Sequence, residues 1–277
     1  MKATDRAAAG RTYVLLMLLA VLFAEPLLWL VLAALKTQSE WVAIPITFLP
    51  EAPRWSNFTE AVTQINFLAY TGNSLFLSAT YAVLVTFSSA AVGFGFARLK
   101  GPGKRPLFVI LLSTMMLPSI LTLIPTYVLY SRLGLVNTYW PWVLWGLAAS
   151  PYLVFLFRQF FAAIPKDLED AAIIDGCGYG RIFLRVFLPL SVPVLLTSLL
   201  LSFTWMWGDY LAPALLLDID HTTLSVAITQ SYRNPHGDYI PTVQAAAAAL
   251  YVVPVMLIFL FAQRYFVRSV ATSGMKG

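Results

Sequence analysis

Six apolar stretches, each about twenty residues or longer, divide this chain of 277 residues. The hydrocarbon core of a bilayer is about 30 Å thick, and a helix needs about twenty residues to cross it. The pattern therefore predicts an all-α polytopic membrane protein, with residues 1–277 forming a single transmembrane domain of six helices. The expected spans are residues 13–35, 72–97, 106–130, 140–162, 183–207 and 243–265.

The composition excludes several other classes of protein. Hydrophobic residues make up 59% of the chain and charged residues only 11%, which leaves too little polar surface for a soluble domain of this length. The net charge of +5 does not indicate nucleic-acid binding, because the basic residues lie in short gaps between apolar runs and form no stripe. The lone cysteine, Cys177, permits no intrachain disulfide.

The basic residues are distributed unequally between the two sides of the predicted membrane. Fourteen of the 18 lysines and arginines fall in the N-terminus, the second gap, the fourth gap and the C-terminus, and four fall in the alternate gaps. Because short cytoplasmic loops carry the excess of Lys and Arg, both termini are expected in the cytoplasm. The same rule places the gap with Arg98–Arg105 and the acidic gap on the cytoplasmic side.

Proline interrupts several of the spans, which frees backbone carbonyls that need protein or water as partners. One acid, Glu25, lies near the middle of the first span, beside Pro26. A charged group at that depth costs a few kcal/mol, about 2.5–3.5 by insertion scales, unless it is paired or neutral. The sequence leaves three roles open for Glu25: contact with another helix or partner subunit, a substrate or proton role, and simple protonation.

A short acidic gap between the fourth and fifth spans predicts a helix at about residues 165–177. Pro165 favours a helix start, and Asp167, Glu169 and Asp170 suit its positive N-terminal end. Gly176 is suited to stopping it. Such a helix is either a docking element on the inner face of the membrane or a solvated connector.

The same gap carries a motif. Glu169-Asp170-Ala171-Ala172-Ile-Ile-Asp175-Gly176 is followed after nine residues by Val186-Phe-Leu-Pro189. This resembles the EAA signature of the permease subunits of ABC importers, with Asp170 where the family usually has glutamate. Further stretches resemble the carbohydrate-type branch, the second permease of maltose-importer-like systems, including Asn73–Leu75, Leu133–Asn137 and Trp207–Pro213.

The resemblance implies a location in a bacterial or archaeal cytoplasmic (inner) membrane and a set of partners. They are a homologous second permease, two ATP-binding-cassette ATPase subunits, an extracytoplasmic solute-binding protein and membrane lipid, with no nucleic acid. ATP and Mg would bind the ATPase subunits, and this chain would bind no cofactor. The residues that would couple it to the ATPase are Glu169, Asp170, Ala171, Ala172, Asp175 and Gly176.

The outer gap before the last span has a polar, aromatic and turn-rich tip. By resemblance, this tip would contact the solute-binding protein, and a solvated loop without a partner is the alternative. The residues of the tip are Tyr232, Arg233, Asn234, Pro235, His236, Gly237, Asp238 and Tyr239.

The resemblance implies half of a translocation path for a sugar, an oligosaccharide or a sugar-like polar solute such as a glycerol-phosphate compound, working by alternating access. Possible path-lining residues are Ser113, Ser119, Ser198 and Ser202, although serine also bonds its own helix backbone. The alternatives are an ion-gradient-driven secondary transporter and a non-transporting membrane scaffold. An ion-gradient transporter would need paired ionisable residues within the membrane, and Glu25 stands alone at its depth.

The sequence holds no phosphate-binding P-loop. The nearest approach, Gly101–Arg105, has the wrong spacing and no Ser or Thr after its lysine. The sequence also holds no Cys/His cluster, so neither a catalytic residue nor a metal site is predicted. The chain is expected to be a non-catalytic subunit of an ATP-hydrolysing complex.

Overall fold

The computed structural model describes the backbone of residues 3–273 and the side chains of residues 12–263. Within that range the regular structure is helical, apart from one isolated β-bridge between Arg233 and Tyr239. The expectation of an all-α membrane protein is confirmed. The described residues do not include Lys2 or Lys276, which lie near the two ends of the chain. The cytoplasmic orientation of both termini stays a prediction.

Eight α-helices occupy the first part of the chain, up to the acidic gap. They are α1 (Ala3–Ala34), α2 (Gln38–Trp41), α3 (Ser56–Thr63), α4 (Phe67–Arg98), α5 (Lys104–Ser113), α6 (Ser119–Arg132), α7 (Trp140–Leu147) and α8 (Pro151–Ala163). A 3-10 turn, Thr114–Met116, follows α5 directly.

The remaining helices run from the acidic gap to the C-terminal end. They are α9 (Lys166–Ile174), α10 (Tyr179–Ile182), α11 (Leu188–Leu190), α12 (Val192–Trp207), α13 (Leu211–Leu216), α14 (Leu224–Gln230) and α15 (Pro241–Ser273). A π-helical segment, Phe183–Phe187, joins α10 to α11.

Four stretches of described helix are long and apolar enough to cross a membrane, and each matches one expected span. They are Thr12–Ala34, Phe67–Arg98, Trp140–Ala163 and Pro241–Gln263. The other two expected spans are sharply bent pairs of helices. Lys104–Met116 and Ser119–Arg132 meet at 97°, and Tyr179–Leu190 and Val192–Trp207 meet at 82°. Six spans result if each bent pair is counted as one.

The bend after α5 has a local cause in the sequence. Leu117 is extended, with φ −81° and ψ 117°, as expected for a residue that precedes proline. Pro118 then begins α6 without supplying a backbone N–H. In contrast, Pro26, Pro125 and Pro254 lie inside continuous helices, so proline alone does not decide where a span breaks.

The chain forms two compact units, of which the smaller comprises Met1–Leu68 and Ala227–Val253. In this unit the buried Asn57 side chain donates from Nδ2 to the carbonyl oxygens of Ala34 and Lys36, both at 2.8 Å. These bonds satisfy carbonyl groups that the C-terminal end of α1 would otherwise leave without partners.

The larger unit comprises Ala69–Val226 and Pro254–Gly277. Within it, α4 packs closely against α7 and α8 at two glycines. A Cβ on Gly93 would lie 2.7 Å from the Phe157 Cβ, and a Cβ on Gly146 would lie 2.7 Å from the Leu84 Cβ. The Ser88 hydroxyl also donates to the Gly146 carbonyl oxygen at 2.7 Å. Small residues of this kind let membrane helices approach each other closely.

Candidate functional site

The acidic gap forms the helix that the sequence predicts. α9 begins after Pro165 and ends at Ile174, Asp175 is its C-cap, and Gly176 follows in the left-handed region at φ 76°. The Gly176 N–H donates to Ile173 O and the Cys177 N–H donates to Ala172 O, both at 2.9 Å. This pair of bonds is a Schellman cap, which needs a residue that tolerates positive φ. The helix therefore has a well-defined end.

The motif residues fall on two faces of α9. Glu169 and Ala172 are buried, with 5% and 9% exposure, and point into the larger unit. Asp170, Ala171, Asp175 and Gly176 are exposed, and so are the apolar Leu168, Ile173 and Ile174. The exposed face, which we call the α9 outer face, thus combines carboxylates with apolar side chains.

Glu169 is held by an arginine from the end of another span. The Arg98 Nη1 atom lies 3.4 Å from Glu169 Oε2, and both side chains are about nine-tenths buried. Arg98 Nη2 donates to the carbonyl oxygen of Phe161 at 2.6 Å, and also to that of Ile164 at the end of α8. One guanidinium therefore joins α4, α8 and α9.

An aromatic cluster packs behind this arginine. The Arg98 guanidinium lies over the Phe187 ring, 5.0 Å from its centroid. The Phe187 ring in turn lies 4.9 Å from that of Phe94 and 5.6 Å from that of Phe161. Because Phe187 belongs to the π-helical segment, the cluster ties the start of the fifth span to α4 and α8.

These contacts change the role expected for Glu169. We expected it to contact the ATPase, but its side chain is buried against this chain's own arginine and is not available on the α9 outer face. The pairing of Arg98 with Glu169 was not predicted from the sequence, in which Arg98 was treated only as one of the basic residues on the cytoplasmic side. A basic residue ending a span just before a basic gap carries no signal of a distant carboxylate partner.

The outer tip is an ordered turn. Asn234 N donates to Asp238 O at 2.8 Å, and Asn234 Oδ1 accepts from the N–H groups of His236 and Asp238, both at 2.9 Å. Arg233 Nη1 donates to Gly237 O at 2.8 Å, and its guanidinium lies over the Tyr239 ring at 3.9 Å. Each of these residues except the partly buried Asn234 is exposed, as is Pro235.

Tyr232 differs from the rest of the tip. It is fully buried, and its hydroxyl donates to Ala61 O at 2.5 Å. Gln64 Nε2 donates to Arg233 O at 2.9 Å and so attaches the tip to the end of α3. Tyr232 therefore anchors the tip and does not belong to its accessible surface, contrary to our expectation.

The four candidate path serines fall into different environments. Ser198 and Ser202 are fully buried in the larger unit, so the expectation that they line the path does not hold for this conformation. Ser113 is exposed and donates to Val109 O one turn back, at 2.9 Å. Ser119 is exposed at the start of α6 and lines a cavity.

Glu25 is exposed on α1 and forms no ion pair with any residue whose side chain is described. In the same part of the chain, no group of three or more His, Cys, Asp or Glu side chains is placed to hold a metal ion.

Comparisons with known proteins agree with the helical arrangement. Residues 88–272 match the family model for the binding-protein-dependent transport system inner membrane component. The chain is 32% identical to the arabinooligosaccharides transport system permease protein AraQ of Halalkalibacterium halodurans, over 91% of each chain. It is 34% identical to the maltose/maltodextrin transport system permease protein MalG of Salmonella typhimurium, over 76% of this chain and 73% of MalG.

A solved structure shares the fold. It belongs to a bacterial ABC transporter involved in the import of the acidic polysaccharide alginate, and one of its chains superimposes with a TM-score of 0.78 at 21% identity, over 96% of this chain and 99% of that chain. The family match covers well over half of the sequence. The chain therefore belongs to the family of binding-protein-dependent transport system inner membrane components, as a permease subunit of an ABC importer.

Proposed function

We propose that this permease carries a sugar or oligosaccharide, and that it forms half of the path together with a homologous second permease. Two ATPase subunits bind ATP and Mg on the cytoplasmic side, and a solute-binding protein delivers the solute from outside. Support comes from the relatives, whose names refer to arabinooligosaccharides and maltodextrins. In this arrangement the chain is non-catalytic and both of its termini are cytoplasmic.

The observation that carries this proposal is the architecture of α9. Its outer face is exposed, and its inner face is fastened to α4 and α8 through Glu169 and Arg98. A rigid helix with one free face can transmit the movement of a docked subunit to the helices behind it. We propose Asp170, Ala171, Asp175 and Gly176 as ATPase contacts, with Glu169 and Ala172 holding the helix in place.

The test is uptake by the reconstituted complex with its binding protein, in vesicles without an ion gradient. The solutes are maltodextrins, arabinooligosaccharides and glycerol 3-phosphate. We expect uptake of a sugar that needs internal ATP and is blocked by vanadate. Uptake that follows an imposed ion gradient and ignores vanadate would favour a secondary transporter, and no sugar uptake at all would refute the proposal.

We also propose that the exposed part of the tip contacts the solute-binding protein. Replacing Asn234–Asp238 with a glycine-rich linker should abolish the stimulation of ATPase activity by the binding protein while leaving the basal activity unchanged. The His221→Ala variant, which alters another exposed outer loop, is the control. Full stimulation without the tip would show that the binding protein docks elsewhere.

Glu25 lies in the apolar helical stretch Thr12–Ala34, whose most apolar window of 18 residues holds no buried residue in this chain. We propose that the second permease supplies its partner, because a lone carboxylate within hydrocarbon is costly. Glu25→Gln keeps the size of the side chain and removes its charge. The variant should assemble less with the second permease, and unchanged assembly and transport would remove Glu25 from the interface.

A further inference from the structure

A cavity of about 350 Å³ lies in the larger unit, next to the bend at Pro118. Its polar and aromatic walls include Tyr81 from α4, Ser119 and Thr122 from the first two turns of α6, Trp145 from α7 and Asp209 from the segment after α12. The end of α12 and the start of α13 complete the lining. Ligand pockets are usually about 300–1,000 Å³ in volume. The cavity is thus large enough for a small ligand.

The polar groups of the cavity are suited to hydroxyl groups. The Thr122 hydroxyl donates to Ser119 O at 2.9 Å, so its lone pairs remain the groups it offers to a ligand. Asp209 Oδ1 accepts from the N–H of Leu211 at 3.1 Å and from that of Ala212 at 3.4 Å. A carboxylate has about four acceptor positions, so the two N–H groups do not use up its capacity.

Trp145 gives the cavity an aromatic wall with a fixed orientation. Its ring centroid lies 5.7 Å from that of Tyr130 and 5.7 Å from that of Trp142, and both of these residues are buried. A wall held by its neighbours loses little side-chain entropy when a ligand packs against it.

The electrostatics of the cavity disfavour an anion. Among the described residues that line it there is no Lys, Arg or His, and Asp209 is the charged group. Burial raises the pKa of the Asp209 carboxyl, whereas the N–H bonds from Ala212 and Leu211 lower it. A phosphate would therefore meet a partly desolvated acid with no cation to offset it, whereas a neutral hydroxyl donates a charge-assisted hydrogen bond.

We propose that this cavity is a binding site for an uncharged sugar, with Asp209 and Thr122 accepting bonds from its hydroxyls and Trp145 packing against its ring. The proposal rests on the proposed function and narrows it, because it assigns substrate contacts to this chain and excludes phosphorylated solutes.

The test uses the complete reconstituted transporter, with maltodextrins and arabinooligosaccharides as probes and glycerol 3-phosphate as a competitor. Asp209→Asn keeps an oxygen that caps the Leu211 and Ala212 N–H groups but removes the charge. Thr122→Val keeps the shape of the side chain and removes its acceptor. We expect Asp209→Asn to raise KM for the transported sugar about tenfold, since a hydrogen bond to a charged group contributes about 1.5–3 kcal/mol.

Two variants serve as controls. Thr197→Val removes a threonine that donates one turn back in the same way, at 2.9 Å to Pro193 O, but lies outside the cavity. Asp218→Asn removes the charge of a half-buried acid in the same outer gap, which is paired with His221 and lies outside the cavity. Both should leave KM unchanged.

The outcomes separate this proposal from the proposed function. If the wild type transports a sugar and both cavity variants keep its KM within about twofold, this site is refuted and the importer stands. If glycerol 3-phosphate competes with the sugar for binding to the transporter, the proposal that the cavity accepts only uncharged solutes is wrong. If the wild type transports neither class of sugar, the proposed function fails and this proposal fails with it. Titration calorimetry of each sugar into the purified complex without binding protein gives a second measurement. In it, Asp209→Asn should raise the Kd of the sugar.

Discussion

Arg98 and Glu169 form a buried ion pair, with 3.4 Å between Nη1 and Oε2, between the last residue of α4 and the first turns of α9. The other two ion pairs among the described side chains are much more exposed. A buried pair owes its stability to its full set of hydrogen bonds, and removing one partner leaves a charge stranded. Arg98 Nη2 also donates to the carbonyl oxygens of Phe161 and Ile164, whereas its Nε is buried without a hydrogen-bond partner.

Replacing Arg98 with methionine should destabilise the attachment of α9 severely. The loss expected from leaving one buried charge unpaired is about 3–5 kcal/mol in the free energy of unfolding. Arg98→Lys should rescue little, because a single ammonium lacks the planar fork that reaches Glu169, Phe161 and Ile164 together. Thermal unfolding of the purified complex measures this loss, and the double variant Arg98→Met/Glu169→Gln should recover part of it. Full stability of Arg98→Met would show that the pair contributes nothing.

Replacing Asp170 with lysine should uncouple the permease without unfolding it. Asp170 is exposed on α9, so the free energy of unfolding should change by no more than about 1 kcal/mol. Affinity for the ATPase should fall about tenfold, equivalent to about 1.4 kcal/mol. Pull-down of the ATPase and uptake measure the effect. Asp167→Lys makes the same charge change on the same helix and should act more weakly, so equal effects would mean that only net charge matters.

Gly176→Ala should loosen the end of α9. An L side chain in the left-handed region costs about 1–2 kcal/mol, although there is space for a Cβ at this position. Gly180→Ala also meets no neighbour, and its helical backbone suits alanine. Hydrogen exchange at the Gly176 and Cys177 amides should speed up in the first variant only. Equal protection in both would contradict the Schellman cap.

Gly93→Ala should separate α4 from α8. The new Cβ would lie 2.7 Å from Phe157 Cβ and 3.2 Å from Arg158 N, and overpacking of this kind costs about 1–3 kcal/mol. Gly72→Ala on the same helix meets nothing within 4 Å and should be neutral or slightly stabilising. Thermal unfolding of the two variants measures the difference in stability. If Gly93→Ala were as stable as the wild type, the two helices would adjust to the added methyl group without cost.

Much of the fold follows from apolar length alone, because a membrane core imposes one element length on every span. The bounds of α4 lie within five residues of the expected span 72–97. The helix α9 was predictable from the acidic gap because the residues that cap a helix act locally. The 97° and 82° bends were not predictable in the same way. Proline marks where a helix can break, but the packing around it decides whether the helix does break.

The site was predictable only as far as it is local. The local sequence predicted the helix α9, whereas which of its carboxylates is buried depends on Arg98, which is 71 positions away in the chain. Tyr232 was assigned to the tip by its neighbours in sequence, and its burial depends on Ala61, which is also distant. Contacts across such separations leave no periodic pattern in a single sequence.

The close approaches at Gly93 and Gly146 have a mechanical consequence. Each glycine is opposed by a larger residue of the neighbouring helix, Phe157 at the first and Leu84 at the second. Axial sliding or rotation of α4 would carry a bulkier side chain into one of these contacts. We therefore expect α4, α7 and α8 to move together, so that a displacement of Arg98 would be passed to all three helices.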